Sequence, residues 1–341
     1  MNSSMFSSFP RGWFRIALSS DIKKGQTKTV HYFGQDIVIF RGESGKVSVF
    51  DPHCPHMGAH LGVGGKVVGD TLRCPFHGWC FNHNGEAVHV PHAKRIPQKA
   101  KARTWTVNET GGVIFVYYHW DVSVPAEPFP DLSILQDTTW SCRSSFTMKL
   151  NANLYEQAEN AVDRAHFDVV HHKTLMFKAE SEDEKVELKA NGDIVDIYAN
   201  YYTKYGPLAL KTTAHLHLMG IGCGENTFSG QCIPFKLVAL GTPVENNVCE
   251  TEFIILTKRI PIPFIGKLVN SVIMWGAKRE LKCDIPIWEN KIFREHPILS
   301  DFDGPVMKFR KWFSQFYPMS KPQSNIIAIS RDKLTDRNKF G

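Results

Sequence analysis

Cys54-Pro55-His56-Met57-Gly58-Ala59-His60-Leu61 and Cys74-Pro75-Phe76-His77-Gly78-Trp79, with seventeen residues between His56 and Cys74, decide how this chain is read. The pattern is C-x-H followed by C-x-x-H. Each loop offers one thiol and one imidazole. Cys54, His56, Cys74 and His77 together match the ligands of a [2Fe-2S] cluster in which one iron takes two Cys and the other two His. A Cys2His2 zinc site is the rival, but zinc modules usually pair C-x2-4-C with H-x3-5-H, whereas here each loop carries one Cys and one His of the set. A third reading, four ordinary core residues, is weakened by the proline that follows the first ligand of each loop. Pro55 and Pro75 shape tight turns that aim main-chain N–H groups at cluster sulfurs.

A chain of 341 residues, 43% of them apolar, has room for two domains with substantial cores. Six cysteines remain outside the two loops: Cys80, Cys142, Cys223, Cys232, Cys249 and Cys283. They lack pair-like spacing, which points to a reducing cytoplasm rather than a disulfide framework. No apolar run reaches the length of a membrane span, and Met1 to Pro10 has neither basic n-region nor h-region. The expectation is a soluble chain, at most peripheral at a membrane surface. A net charge of +6 is mild. Part of it gathers in His92-Ala-Lys94-Arg95-Ile-Pro-Gln-Lys99-Ala-Lys101-Ala-Arg103, which has no aromatic interleaving, so nucleic-acid binding is not expected. A solvated face and a landing site for an acidic electron donor both fit this run.

Short β-branched and aromatic segments fill the first part of the chain: Arg11 to Leu18, Thr29 to Phe33, Ile37 to Phe40, Val47 to Phe50 and Gly112 to Tyr118. Residues 1–120 are therefore expected to form a small all-β module. Gly62-Val-Gly64-Gly65-Lys66-Val-Val-Gly69 matches no nucleotide-binding fingerprint and reads as a hairpin connection, so reduction by NAD(P)H needs a separate protein. Val122 to Pro130 reads as a linker. Residues 121–317 then mix a strand (Thr139 to Leu150), a helix (Ala152 to His172), several long strands (Val186 to Lys258), a helix interrupted near Pro286 (Ile265 to Phe293) and a short last helix (Pro305 to Phe316). Residues 318–341 read as a polar tail.

Asp163-Arg-Ala-His166-Phe-Asp168-Val-Val-His171 carries D-x2-H-x4-H. Residues five apart on an ideal helix diverge by about 140°, so His166 and His171 share one ion only if the helix is distorted between them, for example by a π-type turn. Two imidazoles and a carboxylate make the facial triad of a non-haem Fe(II) oxygenase. Asp284 is the chosen carboxylate; its plainer and compatible reading is the N-cap of a new helix with Pro286 in the first turn. Glu280, Glu289 and Asp168 are its rivals, and His172 competes with His171 for the register. His215 and His217 share a strand face and could be ligands, although a polar face is the simpler account. Phe228, Phe235, Leu237, Ile254 and Trp275 are candidate walls of an apolar substrate pocket, and Ile260 to Trp275 a candidate entrance or membrane-touching segment.

Taken together, Cys-Pro-His-Met-Gly-Ala-His-Leu, Cys-Pro-Phe-His-Gly-Trp, Val-Pro-His-Ala-Lys-Arg-Ile-Pro and Ile-Trp-Glu-Asn-Lys resemble the Rieske non-haem iron oxygenase α subunits, in the steroid branch. That branch holds 3-ketosteroid 9α-hydroxylase oxygenase components, cholesterol 7-desaturases and bacterial sterol C-4 demethylase oxygenases. The resemblance implies an α+β chain: an N-terminal all-β Rieske [2Fe-2S] domain and a catalytic domain with an antiparallel sheet flanked by helices. It also implies one mononuclear Fe(II), O2 as co-substrate, electrons from a separate ferredoxin or NAD(P)H-dependent reductase, and a homotrimer in which one subunit's cluster faces its neighbour's iron across Asp163. Many relatives carry Asn or Asp four residues before that Asp, where this chain has Glu159 followed by Asn160.

The expected activity is hydroxylation of a steroid or sterol-like substrate by O2 and two electrons. Desaturation and oxidation of a sterol C-4 methyl group are the alternatives within the family. A Rieske electron carrier without oxygenase activity is the alternative outside it, and the two-histidine motif speaks against that.

Overall fold

The structure is a computed structural model that describes residues 8–318 apart from 125, 141, 164, 172–185, 206–207, 231–232, 260–261 and 302. His172, Cys232 and nearly all of the expected tail lie outside the described residues, as does the side chain of Asp168.

The first part is built from short strands that pair as three small antiparallel sheets. β1 (Gly12–Leu18), β10 (Val113–Tyr118) and β9 (Val107–Thr110) form one, in the order β1-β10-β9. β2 (Thr27–Tyr32), β3 (Gln35–Arg41) and β4 (Val47–Phe50) form the second. The third joins β5 (Lys66–Val68), β6 (Thr71–Arg73), β7 (Cys80–Phe81) and β8 (Ala87–His89). The stretch expected to be a hairpin connection, Gly62 to Gly69, is in part strand: Lys66–Val68 is β5, and only its end at Gly69 turns into β6. Cys54 and Cys74 belong to the core that Phe40, Phe50, Leu72 and Phe81 build between the last two sheets.

The second part is a seven-stranded antiparallel sheet of β11 (Cys142–Leu150), β12 (Glu187–Asn191), β13 (Ile194–Tyr205), β14 (Leu208–Met219), β15 (Cys223–Ser229), β16 (Phe235–Glu245) and β17 (Val248–Thr257). Their order is β11-β17-β16-β15-β14-β13-β12. Successive residues of a strand point to opposite faces, which divides the sheet chemically. On β17, Ile254 and Leu256 pack toward Trp13, Val113 and Phe115 of the first part, whereas Ile255 packs against Ile273, Met274 and Ala277. Those last three belong to α3 (Pro263–Trp288), which lies across the other face.

Two helix expectations are corrected. The segment from Ala152 to His172 is not one helix: α1 (Leu154–Glu159) and α2 (Ala165–Val170) are separated by a turn. Gly304, at φ +68°, lies so close to the Val162 carbonyl that a Cβ there would sit 2.8 Å from its oxygen, so only glycine lets the chain cover this turn. Nor does Pro286 interrupt a helix. It sits within the final turn of α3, where the hydrogen bond it forfeits is one of the last the helix would make. Asp284 is consequently an interior helical residue rather than an N-cap. α4 (Val306–Ser314) closes the described fold by burying Phe309, Trp312 and Phe313. Among the described residues no helix is long and apolar enough to cross a membrane.

A buried cation joins the two parts. Arg15 on β1, 6% exposed, reaches Glu250 Oε1 at 2.7 Å and Glu252 Oε2 at 3.2 Å on β17, and donates to Tyr32 Oη at 2.9 Å. Truncating one partner of such a pair leaves the other charges without compensation, at a cost of about 3–5 kcal/mol. Arg15→Leu should lower stability by that amount in urea unfolding, and adding Glu252→Leu should recover part of the loss; equal losses in single and double variants would refute the coupling.

Candidate metal centres and the cavity

The two Cys/His loops fold alike because the same two backbone bonds close each. Cys54 N donates to Ala59 O and Gly58 N to Cys54 O; in the second loop Cys74 N donates to Trp79 O and Gly78 N to Cys74 O. Gly58 and Gly78, at φ +76° and +71°, supply the left-handed residue each bend requires. Both cysteines are buried and free, while His56 and His77 are exposed with ring centroids 4.6 Å apart. Trp79 stacks on His56 at 4.5 Å and fixes its plane. Burial, and the nearby Cys74, push the Cys54 thiol up to about 11, although the His56 and Met57 N–H groups aimed at its sulfur favour the thiolate. Two buried thiols and two solvent-facing imidazoles on paired loops fit a cluster with an inner iron held by sulfur and an outer iron held by nitrogen.

The second centre depends on where α2 ends. His166 sits in its first turn and His171 immediately follows its last residue, so the chain turns His171 back without a π-type distortion. Within D-x2-H the two residues contact each other: Asp163 Oδ1 accepts from His166 N at 3.4 Å, while the Asp163 carbonyl lies 2.5 Å from His166 Nδ1. Glu280 Oε2 lies 2.8 Å from His171 Nδ1. Both Nδ1 atoms being engaged, both Nε2 atoms face Asp284 Oδ1, at 3.9 Å for His166 and 3.3 Å for His171. One ligand atom from each of His166, His171 and Asp284 lies within 4.8 Å of the other two. Burial works against charge on His171, yet Asp284 and Glu280 push its imidazole up to about 9. A divalent ion fits this donor set: it would replace the proton and face two nitrogens and a carboxylate on one side, leaving other positions open.

The rival carboxylates have other duties. Glu280 orients His171 in the manner of a carboxylate–histidine–metal arrangement. Glu289 accepts from Asn151 N at 2.9 Å, just before α1. Glu159 is buried and turned toward Arg310 Nε at 2.7 Å and Lys291 Nζ at 3.5 Å, and Lys291 also pairs with Glu156 at 2.7 Å. Asn160, not Glu159, lines the cavity, with Nδ2 3.4 Å from His166 Nε2. The run Ile-Trp-Glu-Asn-Lys thus acts as a unit, in which Trp288 walls the cavity while Glu289 and Lys291 secure α1.

His166, His171 and Asp284 lie on the wall of a cavity of about 230 Å³ between the sheet and α1, α3 and α4. Phe228, Phe235 and Leu237 line it. Ile254 and Trp275 do not: Ile254 points to the opposite sheet face, and Trp275 is 60% exposed on the outer side of α3. Ala277, Glu280, Leu281, Asp284 and Trp288 recur at three- and four-residue steps and form the inner side of that helix. The walls are mostly apolar. Apart from His171, Glu280 and Asp284, three lining residues carry a polar atom that is buried without a hydrogen-bond partner among the described residues: Gln157 Nε2, Trp288 Nε1 and Asn226 Oδ1. Sequence reading missed them because a lone Gln, Asn or Trp in an amphipathic segment carries no signal of where it points.

Comparison with known proteins agrees with this geometry. Residues 12–101 match the Rieske [2Fe-2S] domain, and residues 116–317 the 3-Ketosteroid 9alpha-hydroxylase C-terminal domain. The oxygenase component of 3-ketosteroid-9-alpha-monooxygenase from Rhodococcus rhodochrous is 31% identical over 332 residues, 91% of this chain and 84% of the relative. Cholesterol 7-desaturase nvd from Drosophila melanogaster is 30% identical over 332 residues, 91% of this chain and 75% of the relative. Among solved structures, dicamba monooxygenase bound to dicamba shares the fold with a TM-score of 0.74 at 18% identity, over 91% of this chain and 98% of that one. Paired thiol and imidazole loops, a two-histidine, one-carboxylate pocket and matches across most of its length make this chain an oxidoreductase of the Rieske oxygenase family, in the branch that carries the 3-ketosteroid 9alpha-hydroxylase C-terminal domain.

Proposed function

We propose that the chain is the terminal oxygenase of a Rieske monooxygenase system acting on a steroid or sterol-like molecule. The observation that carries this reading is a facial set of His166, His171 and Asp284 in an apolar cavity, in a chain whose Cys54, His56, Cys74 and His77 are arranged for a [2Fe-2S] cluster. Iron at the facial set would supply the dioxygen and redox chemistry, drawing two electrons that reach the cluster from a separate ferredoxin or reductase. The protein's part is to hold both Nε2 atoms and Asp284 at one point, to keep water out with apolar walls, and to fix which carbon approaches.

Gln157 Nε2 and Trp288 Nε1 can donate, and Asn226 Oδ1 can accept. A few polar side chains among apolar lining residues suit a largely hydrocarbon substrate that carries one or two oxygen functions, as a ketosteroid or sterol does. Asp163 is the bridge between the two centres in this reading. Its side chain is 37% exposed beside His166, and His56 and His77 are also exposed, which supports passage of electrons from a neighbour's cluster in a homotrimer. The exposed basic run from Lys94 to Arg103 suits an acidic donor. Phe264, Leu268, Val272 and Trp275 form an exposed stripe on α3, continued by Lys278, Arg279 and Lys282, which supports peripheral contact with an anionic membrane.

A panel of sterols and 3-ketosteroids incubated with reductase and NADH should give, by mass spectrometry, a product gaining one oxygen. Loss of two hydrogens instead would make the chain a desaturase, a reading its similarity to the cholesterol 7-desaturases also favours. Asp163→Ala should keep the cluster's visible spectrum and abolish turnover; retained turnover would remove the bridging role.

Asn226→Leu and Gln157→Leu should each lower kcat/KM about three- to tenfold for a substrate bearing the matching oxygen, with little change for its deoxygenated analogue. Equal losses on both substrates would point to a packing role only.

Vesicles of phosphatidylcholine with phosphatidylglycerol should sediment the protein, and Phe264→Glu with Leu268→Glu should release it. If vesicles leave the protein in solution and the double variant loses its oligomeric state, the stripe is instead a contact between copies.

A further inference from the structure

The sheet face turned away from the cavity carries a second cluster of ligand-type side chains. On β14, Ala214, Leu216 and Leu218 line the cavity, so His215 and His217 between them project from the opposite face. Asp196 on β13 is the direct cross-strand partner of His217, and Tyr198 that of His215. Asp196 Oδ1 lies 2.7 Å from both His215 Nε2 and His217 Nδ1, and one ligand atom from each residue lies within 4.8 Å of the other two. Tyr198 stacks on His215 with centroids 4.5 Å apart and planes 2° from parallel, which fixes the direction of its lone pair.

The three side chains present two nitrogens and one carboxylate to a single point. Each imidazole can donate one N–H to Asp196 Oδ1, and a metal ion that displaces those two protons would meet the same two nitrogens and the carboxylate. The three residues are half-buried, with side-chain exposures of 27%, 37% and 30% for Asp196, His215 and His217, so the face is open to an ion from solvent. Two nitrogens and one oxygen favour zinc, copper or nickel over magnesium or calcium.

We propose that Asp196, His215 and His217 bind a divalent transition-metal ion at a site separate from the cavity. Three protein ligands leave a position for water or for a side chain from outside the cluster, as zinc sites of this ligand count do. The ion would tie β13 to β14 directly behind the wall formed by Ala214, Leu216 and Leu218.

The test uses purified oxygenase carrying its full complement of iron, dialysed against zinc and then assayed for zinc and iron by mass spectrometry. One zinc per chain with no loss of iron is expected, along with a higher melting temperature. His215→Ala with His217→Ala, and separately Asp196→Asn, should lose the zinc and the thermal shift while keeping the cluster's visible spectrum. Zinc uptake that is matched by iron loss would overturn the proposal, as would equal uptake by the variants or no uptake by the native chain. Asp196→Asn keeps the side-chain shape, so the result stands even if the double histidine variant folds poorly.

Discussion

Two imidazoles and two carboxylates are held at one end of an apolar cavity, and nearly everything else about the second domain follows from making that tolerable. The side chains of His171, Asp284 and Glu280 are 3%, 8% and 12% exposed. Groups of this kind are costly to bury unless each finds a partner of opposite charge, which is why His171 is driven toward the protonated form when only the protein surrounds it. A metal ion satisfies all of the groups at once. The fold is arranged to leave them no other choice: Asp163 and Glu280 occupy the Nδ1 atoms, α2 stops at Val170, and α3 delivers Glu280 and Asp284 one turn apart.

The supporting charges are as ordered as the ligands. Glu156 and Glu159 on α1 are buried and answered by Lys291 and Arg310, which join the segment after α3, α4 and α1 into one frame. Because α1 immediately precedes the turn to His166, this frame sets the position of the imidazole without touching it. The same logic holds at the junction of the two parts, where Arg15 draws Glu250 and Glu252 of the catalytic sheet onto β1.

Burial is distributed oppositely at the two centres. The cluster loops hide sulfur and expose nitrogen, so an electron can enter or leave at the protein surface through the imidazole edges. The facial set is enclosed by walls that exclude water and so strengthen each electrostatic contact there. A single sheet serves both the cavity and the outer histidine cluster, because alternation along β14 gives one face to Ala214, Leu216 and Leu218 and the other to His215 and His217.

The amino-acid sequence by itself determined what depends on neighbours along the chain. Cys54, His56, Cys74 and His77 were legible because each loop carries its ligands within four residues and closes on its own backbone. Asp163 and His166 were legible from the D-x2-H motif and the family resemblance, and the small strands showed in their β-branched and aromatic runs. Only the tertiary structure decided the matters that depend on chain segments far apart. It set Asp284 rather than Glu280 or Glu289 against both Nε2 atoms, broke the expected helix between Glu159 and Ala165, and turned Ile254 and Trp275 away from the cavity. It also brought Asp196 to His215 and His217. The physical reason is common to all four: periodicity says which residues share a face, but what that face meets is fixed by the packing of sheet against helix.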